Sequence, residues 1–359
     1  MENHEKSSAL GFQEYMVDII NKGSLSLMLS IGHRLGLFDT MVSLSPSTSK
    51  QIAIASNLNE RYTREWLAAM VVGKIVTYDP SNDLYFLPKE KADLLTRNTK
   101  LYNFAASMQW IPILGHVEDE IVHCFKKGGG IPYSLYKRFH EVMEEESAQT
   151  VLSGLFEFII PLVLGLEDRL KRGINVLDIG CGNGRAMNMM ANQFPLSKFT
   201  GYDISKEAIK NAHSQSLLYG TKNVDFKVKD VSKILDPSTN LSFDLITAFD
   251  AIHDQAEPAT VLRNIASLLN PDDGIFLMQD ILSSSLLKNN IDHPLGIFLY
   301  TISCLHCMSV SLARGGIGLG AMWGKEKAVE MLKEVGFTKV EVKKLPHDFQ
   351  NYYYIGYIK

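Results

Sequence analysis

Residues 176–205, VLDIGCGNGRAMNMMANQFPLSKFTGYDIS, constrain the fold more than any other part of the chain. An apolar run is followed by a glycine-rich turn, a helical pattern and a second apolar run that ends at Asp203. This succession predicts strand, turn, helix and strand, the repeating unit of a parallel sheet. Because such a turn lies at the carboxyl edge of the sheet, where doubly wound folds bind ligands, the stretch also predicts a ligand site.

The alternation of strand and helix continues to the end of the chain. Residues 174–359 contain seven predicted strands, at 175–180, 198–204, 224–231, 243–252, 274–281, 338–345 and 351–359. Three of the first five are apolar on both faces, which is typical of parallel strands covered by helices. The last two are separated by too few residues for a crossover helix and must pair antiparallel. We therefore expect an α/β domain with a seven-stranded, Rossmann-like sheet over residues 174–359.

The front of the chain has a mainly helical pattern, which predicts a first domain over residues 1–125. Within it, residues 49–88 predict helix, turn, helix and a hairpin around DPSND, and this arrangement resembles a winged-helix unit. Residues 1–115 carry eleven basic and eleven acidic side chains, so this part lacks the cationic surface that groove binding needs. Residues 126–173 are predicted as a helical bridge or lid between the two domains.

Composition and charge argue against several other classes of protein. The 359 residues are 46% hydrophobic and 21% charged, as in a globular protein with a sizeable core. A formal net charge of −4 disfavours a nucleic-acid partner. The first residues lack a signal-peptide core, the most apolar run (154–166) is too short to cross a bilayer, and four cysteines do not form a disulfide framework. We expect a cytoplasmic protein with no membrane partner.

The glycine turn indicates what kind of ligand it holds. Gly180, Gly182 and Gly184 lack the Cβ atoms that would keep a ligand from the backbone. The helix that begins at Arg185 offers free N–H groups, but a dinucleotide site would need a glycine at this position, which disfavours a nicotinamide oxidoreductase. Asp178, two residues before Gly180, would repel a pyrophosphate and suits a ligand that carries an ammonium group.

Asp203 completes the motif. It lies 23 residues after Gly180, the usual spacing for a carboxylate that binds two ribose hydroxyls. D-I-G-C-G-N-G followed by Y-D-I-S resembles the cofactor signature of class I S-adenosylmethionine-dependent methyltransferases, over roughly residues 174–359. The resemblance implies S-adenosylmethionine as the cofactor and the methyltransferase form of the seven-stranded sheet.

The resemblance also implies a role for each matching residue. The turn would face the methionine portion, Asp203 the ribose and Ile204 the adenine ring. Asp230 would receive the adenine amino group, and the aromatic face of Phe249 would lie near the sulfonium. The cofactor-binding residues predicted in this domain are Asp178, Gly180, Cys181, Gly182, Asn183, Gly184, Asp203, Ile204, Asp230, Val231 and Phe249.

A second motif supplies a candidate for acid–base chemistry. His253 follows the fourth predicted strand in FDAIHDQAEP, at the same sheet edge as the glycine turn. Imidazole accepts a proton near pH 7, so His253 is a candidate general base; a backbone-bonded helix cap is the structural alternative. The His-Asp pair resembles the H-D motif of winged-helix small-molecule O-methyltransferases, whose histidine deprotonates a hydroxyl. Gln255 stands where those enzymes usually have tryptophan, which leaves the acceptor open.

The resemblance extends to nearly the full length of the chain. It includes residues 131–143, IPYSLYKRFHEVM, and residues 293–324, and it indicates a methyltransferase subfamily with mycobacterial and invertebrate members. It implies a homodimer formed through the front unit, and bridging helices that roof the pocket. Tyr133 and Phe139 would then lie near the cofactor.

Residues 282–324 form an insert of the kind that determines acceptor specificity. Helical spacing predicts core packing for most of its apolar residues, and His293, His306 and Trp323 are predicted to contact the acceptor. Cys304 and Cys307 lie on one helical turn without a second cluster, so no metal site is predicted.

Together these features predict an enzyme that transfers a methyl group from S-adenosylmethionine to the oxygen, nitrogen or sulfur of a small, partly apolar molecule. The alternative from another class is an S-adenosylmethionine-sensing regulator that binds DNA through the winged helix. A nucleic-acid methyltransferase is disfavoured by the net charge and by the lack of an N-P-P-Y type motif for a flipped base.

Overall fold

The computed structural model describes residues 2–99, 101–233 and 241–359. The chain divides into two compact units, Met1–Gly115 and His116–Lys359. The sequence pattern placed the boundary after residue 125. In the structure it follows Gly115, and residues 126–173 belong to the second unit.

The first unit contains the helices and hairpin of a winged helix. Asn59 caps the second helix of the pair by accepting a hydrogen bond from the N–H of Tyr62. The following hairpin pairs β1 (Thr77–Asp79) antiparallel with β2 (Leu84–Phe86). The helices described in this unit run over Glu2–Arg34, Leu37–Ser43, Ser49–Ala55, Glu60–Val72, Lys89–Ala92, Phe104–Ser107 and Trp110–Gly115. This arrangement confirms the winged-helix prediction.

The helix Glu60–Val72 packs into the core of the first unit through its apolar face. Trp66, Leu67 and Met70 are almost fully buried. The Trp66 ring meets Phe38 edge-on at 5.4 Å between centroids, and its indole N–H donates to the carbonyl of Met28. Because these contacts use the side chains that the helical period places on one face, this helix is held by packing.

The second unit is a doubly wound α/β domain. Its described residues form a seven-stranded sheet with the order β5-β4-β3-β6-β7-β9-β8. The strands are β3 (Asn175–Ile179), β4 (Lys198–Asp203), β5 (Val224–Val228), β6 (Leu245–Phe249), β7 (Ile275–Ile281), β8 (Lys339–Leu345) and β9 (Asp348–Tyr357). β3 to β7 are parallel, and β9 runs antiparallel to both β7 and β8. The predicted fold class is confirmed.

Apolar clusters cover both faces of this sheet. On β3, Val176 belongs to one cluster, while Leu177 and Ile179 belong to the other. The α-helices described in this unit run over Glu118–Lys127, Phe139–Ser147, Leu166–Arg172, Arg185–Gln193, Lys206–Tyr219, Pro258–Leu268, Gly296–Ile302, Met308–Ala313 and Gly324–Glu334. Strand order reverses at β3, which lies between β4 and β6, and such a reversal opens a crevice at the carboxyl ends of the strands.

β6 is shorter than the sequence pattern indicated. It ends at Phe249 because Asp250 adopts a φ of 49°, which an extended strand does not allow. The N–H of Asp250 still donates to the carbonyl of Gln279 on β7, at 3.0 Å. The backbone therefore turns at Asp250 and carries the next residues across the end of the sheet.

One helical rod in the insert, Gly296–Ala313, is long and apolar enough to cross a membrane by length and composition. Its mean hydropathy is 1.6 and 39% of it is buried. The rod consists of two α-helical segments joined by the π-helical turn Ser303–Cys307. It also carries the buried polar side chains of His306, Ser309 and Ser311, which is typical of a helix packed in a folded core.

Candidate cofactor and acceptor site

Backbone hydrogen bonds hold the turn after β3, and the space next to one of its glycines, Gly182, is open. The N–H groups of Gly180 and Cys181 donate to the carbonyl of Tyr202, at 2.8 and 3.1 Å. A Cβ on Gly184 would lie 2.5 Å from the Phe226 ring, so packing requires a glycine here. At Gly182, apart from its chain neighbours, no described atom lies within 4 Å of the place a Cβ would take. A ligand can therefore approach the backbone at Gly182.

Asp203 is fixed beside this opening by two backbone N–H groups. Its Oδ2 accepts a hydrogen bond from Gly182 at 2.9 Å, and its Oδ1 accepts one from Ser205 at 2.8 Å. An ionised carboxylate has about four lone-pair sites, so Asp203 can still accept hydrogen bonds from two hydroxyl groups. The sequence spacing between the turn and the acid thus becomes a direct contact.

Asp178 lies inside the sheet, behind the turn. It is 3% exposed and accepts a hydrogen bond from the Thr247 hydroxyl at 2.7 Å. Burial raises the pKa of Asp178 to about 7; the Thr247 bond opposes this shift, and the charge of Asp203 adds to it. Burial therefore favours the neutral form of Asp178 more than that of an exposed carboxyl group. Its predicted contact with an ammonium group stays a prediction.

The residues predicted on the adenine side lie along the ends of β4 and β5. Ile204 is 45% exposed, while Val231 is buried in the core. Asp230 accepts hydrogen bonds from the Ser232 N–H and hydroxyl, at 3.1 and 2.6 Å. Burial alone would raise the pKa of Asp230, but these bonds, with Lys233 and Arg314, lower it. Asp230 is thus an ionised acceptor, and its contact with an adenine amino group stays a prediction.

The helix Phe139–Ser147 is tied to the glycine turn by a carboxylate. The Asn183 side-chain amide donates to Glu144 Oε2 at 2.8 Å. The guanidinium of Arg185, the residue that replaces a dinucleotide-site glycine, lies 3.4 Å from Glu144 Oε1. Glu144 therefore joins the predicted lid to the turn that is expected to hold the cofactor.

An aromatic cluster covers the same edge. The His306 ring stacks on Phe139 at 4.4 Å between centroids and meets Tyr133 and Tyr136 edge-on. Burial lowers the pKa of His306 to about 4, so its imidazole is neutral at pH 7. The structure thus brings together Tyr133, Phe139 and His306, which the sequence assigned to two different binding partners.

His253 is buried between two carboxylates. Its Nδ1 lies 2.8 Å from Asp280 Oδ1, and its Nε2 lies 3.4 Å from Asp254 Oδ1. The other oxygen of Asp254 accepts a hydrogen bond from the Tyr133 hydroxyl at 2.9 Å. Burial alone would lower the pKa of His253, but Asp280 and Asp254 raise it well above its ordinary value. The imidazole therefore carries a proton at neutral pH, held in an acid–histidine–acid clamp of Asp280, His253 and Asp254.

Asp280 anchors this clamp from the end of β7. It is fully buried, and its Oδ1 accepts hydrogen bonds from the Trp323 indole at 2.9 Å and from the Ile281 N–H at 2.8 Å. Its Oδ2 has no hydrogen-bond partner among the described residues. Trp323 therefore supports the clamp from the insert, and its predicted contact with the acceptor stays a prediction.

His293 is engaged locally by its own segment. One ring nitrogen lies 2.8 Å from the carbonyl of Leu282, and the other accepts a hydrogen bond from the N–H of Leu295 at 3.1 Å. These bonds shape the start of the insert. Contact of His293 with the acceptor stays a prediction.

Three residues that sequence reasoning did not single out take part in the site: Asp250, Asp280 and Glu144. Gln279 and Asp280 interrupt the apolar run of the strand segment GIFLMQDI, and Asp250 directly follows the mostly apolar run LITAF. A carboxylate at the end of a buried strand is a signal that the sequence offered. Glu144 offered none, because it lies in the acidic helical stretch EVMEEES.

The residues present fit an S-adenosyl nucleoside. The open backbone at Gly182, the spare lone pairs of Asp203 and the exposed side chain of Ile204 match a polar chain, a ribose and a flat ring in that order. All three lie at the carboxyl ends of adjacent strands, β3 and β4.

Comparison with known protein families supports this interpretation of the two units. Residues 23–97 match the model of an Rv2258c-like winged HTH domain, and residues 170–346 match the model of a methyltransferase domain. These matches confirm the resemblance to methyltransferases with an N-terminal winged-helix domain.

The chain is also similar to individual proteins, in sequence and in fold. The chain is 32% identical over 120 residues to a ubiquinone biosynthesis O-methyltransferase of Paracidovorax citrulli, a match that covers 33% of this chain and 49% of that protein. The fold is similar to that of human N-acetylserotonin methyltransferase in complex with S-adenosylmethionine, with a TM-score of 0.69, 17% identity and coverage of 96% of each chain. It is also similar to PigF with S-adenosylhomocysteine, with a TM-score of 0.65, 17% identity and coverage of 96% of this chain and 98% of that one.

Proposed function

Because the chain carries a methyltransferase domain behind a winged HTH domain, we propose that it transfers a methyl group from S-adenosylmethionine to a small, partly apolar acceptor. The observation that carries this proposal is the carboxylate of Asp203, fixed 2.9 Å from the N–H of Gly182 at the open part of the glycine turn. This pairing of a bare backbone with a carboxylate suits a ligand that carries a ribose, and the match to a methyltransferase domain favours S-adenosylmethionine among such ligands. The acceptor atom is oxygen, nitrogen or sulfur.

Each part of the site has a role in this proposal. The turn from Gly180 to Gly184 binds the methionine portion, Asp203 the ribose, and Asp230 the adenine amino group. Phe249, half-buried at the end of β6, lies beside the sulfonium, where an aromatic face attracts positive charge. When bound, the cofactor supplies an electrophilic methyl group, and the protein's main contribution is to hold the acceptor in line with it.

His253 is the candidate base for a hydroxyl acceptor. Asp280 orients the ring through Nδ1, so the Nε2 side is the one that exchanges a proton with the acceptor. Asp254 lies on that side, at 3.4 Å, and is held by Tyr133. Because the two carboxylates keep His253 protonated at neutral pH, the fraction of enzyme able to accept a proton increases as the pH rises.

Replacement of His253 tests the base directly. His253→Ala should lower turnover on a hydroxyl acceptor by about 10²- to 10⁴-fold, the usual contribution of a positioned acid or base. The affinity for S-adenosylhomocysteine, measured by calorimetry, should stay unchanged because the glycine turn and Asp203 remain intact. Unchanged turnover would remove His253 from the mechanism, while wild-type protein that gives no heat with either S-adenosyl nucleoside would contradict the whole proposal.

The first unit supports a homodimer. On the helix Glu2–Arg34, Leu10, Phe12 and Ile20 are each more than 60% exposed, and large exposed apolar side chains of this kind are candidates for burial in an interface. We expect Phe12→Glu with Ile20→Glu to turn a dimer into a monomer in analytical ultracentrifugation. A wild-type chain that sediments as a monomer at micromolar concentration would contradict this assignment.

The basic residues of the winged helix favour packing over DNA binding. Arg61 is paired with Glu65, and Arg64 lies 3.4 Å from Glu60, so the helix Glu60–Val72 neutralises its own charge. Binding to phosphates is strongest at low salt, so a gel shift at about 50 mM salt decides the matter. We expect no shift, and a specific shift would favour the regulator alternative.

The cysteines, which are free thiols, agree with a cytoplasmic location.

A further inference from the structure

Beside the clamp lies a carboxylate that the proposed reaction does not use. Asp250 is half-buried, and its Oδ1 is shielded from solvent with no hydrogen-bond partner among the described residues. Polar atoms of Asp250, His253 and Asp280 all lie within 4.8 Å of one another. Asp280 adds a second unpartnered oxygen, Oδ2, on a side chain with no exposed surface. Asp250 and Asp280 therefore each keep one carboxylate oxygen without a hydrogen-bond partner among the described residues, on side chains that approach within 4.8 Å of each other.

The backbone shows that Asp250 is held there under strain. Its φ of 49° belongs to the left-handed region, which costs a non-glycine residue about 1–2 kcal/mol. The surrounding strands maintain this conformation, since the N–H of Asp250 bonds to Gln279 on β7. Strained residues of this kind cluster at ligand sites, where the conformation aims a side chain.

The charges around Asp250 favour a positive ligand. Asp254 and Asp280 lie next to His253, and the clamp of two carboxylates and one imidazolium carries a net negative charge. Among the residues that the structure describes, no lysine or arginine pairs with Asp250, Asp254 or Asp280. An anionic group here would face this negative charge without a compensating cation, whereas an ammonium group can donate hydrogen bonds to the unpartnered oxygens.

We propose that Asp250 and Asp280 form a cation-binding subsite and that the methyl acceptor carries a basic nitrogen, which this subsite binds as an ammonium group. The inference rests on the proposed function, because it assigns the acceptor class for the same site. Asp250 directly follows Phe249, which the proposed function places beside the sulfonium, so the subsite adjoins the proposed position of the acceptor. The subsite then discriminates amines from neutral alcohols of the same shape.

Binding should also release a proton. Burial raises the pKa of Asp250 to about 8, and the charges of Asp280, Asp348 and Asp254 act in the same direction while His253 opposes them. These groups face Asp250 from β7, from the end of β9 that begins at Asp348, and from the segment after β6. Without ligand, Asp250 is therefore mostly protonated at pH 7. A bound ammonium group favours the carboxylate, so the proton leaves to the buffer.

The experiment compares matched ligands on protein with and without S-adenosylhomocysteine. The probes are 2-phenylethylamine with 2-phenylethanol, and tryptamine with tryptophol. We expect each amine to bind about tenfold or more tighter than its alcohol, the size of a charged hydrogen bond. Calorimetry at pH 7 in buffers of different ionisation enthalpy should show proton release for the amines. Alcohols that bind as tightly as the amines, or amine binding without proton release, would overturn the inference.

Two variants separate the subsite from general stability. Asp250→Asn keeps the shape and tolerates positive φ, so it should fold while the amine preference and the proton release are lost. Asp83→Asn is the matched control, because Asp83 has a φ of 53° in the hairpin of the first unit. If Asp250→Asn does not fold, the ligand pairs on wild-type protein still decide the question. A preference that persists in a folded Asp250→Asn protein would contradict the assignment.

The remaining outcomes distinguish related possibilities. Binding of Mg²⁺ alone that Asp250→Asn abolishes, without any amine preference, would assign the subsite to a metal ion and overturn the inference. Amine preference in a protein that does not bind S-adenosylhomocysteine would leave the subsite standing and contradict the proposed function. Nucleoside binding without amine preference would contradict the subsite alone.

Discussion

The glycine turn and the clamp around His253 lie at the same sheet edge but are built differently. The turn uses backbone amides and one carboxylate, Asp203, whose oxygens are both bonded to neighbouring N–H groups. The clamp uses buried charged side chains, and Asp250 and Asp280 keep oxygens without partners among the described residues. A network of satisfied polar groups is rigid, whereas unsatisfied buried polar groups need an explanation, and the proposed subsite provides one for Asp250 and Asp280.

Two glycines of the turn allow the packing role and the binding role to be separated. Both Gly182 and Gly184 have positive φ, but only a Cβ on Gly184 meets a neighbour, Phe226. Left-handed strain of about 1–2 kcal/mol applies to both, and overpacking adds about 1–3 kcal/mol at Gly184. We therefore expect Gly184→Ala to lower the free energy of unfolding more than Gly182→Ala in denaturant titrations.

Affinity should rank the same two variants differently. Gly182→Ala places a methyl group at the open part of the turn, so it should weaken binding of S-adenosylhomocysteine in a protein that remains folded. Equal losses of stability in the two variants, or unchanged affinity in Gly182→Ala, would show that the turn does not divide its roles in this way.

Asp203 tests the charge of the turn with little change in side-chain size, although its replacement by Asn also removes one of the two hydrogen bonds that the carboxylate accepts from Gly182 and Ser205. Hydrogen bonds to a charged group contribute about 1.5–3 kcal/mol, so Asp203→Asn should weaken S-adenosylhomocysteine binding by about 10- to 100-fold. Asp225→Asn is the matched control, because Asp225 is exposed on the neighbouring strand β5 and pairs with Lys227. Calorimetry on both variants measures the difference, and equal affinities would refute the ribose role of Asp203.

The difference between the glycine turn and the clamp also explains why the first could be predicted from the sequence and the second could not. The turn and Asp203 were predictable because a short motif contains both partners within one βαβ unit, whose geometry is stereotyped. The clamp joins His253 to Asp280, and Asp280 to Trp323, across 27 and 43 residues, and no local pattern records which side chains meet. The end of β6 was missed for a related reason, because a non-glycine residue at positive φ is set by its surroundings, here the contact of Asp250 with β7.

The smallest expected effect concerns the proton on His253. Asp254 is one of two carboxylates that raise the pKa of His253, so Asp254→Asn should lower that pKa. Tyr133→Phe provides the opposite change, because loss of its hydrogen bond leaves the Asp254 charge less shielded and should raise the pKa. NMR titration of labelled histidine measures both shifts, and the acid limb of the rate on a hydroxyl acceptor should move in the same directions. Shifts of equal sign in the two variants would show that Asp254 acts on His253 through packing, because only a charge effect reverses when its shielding is removed.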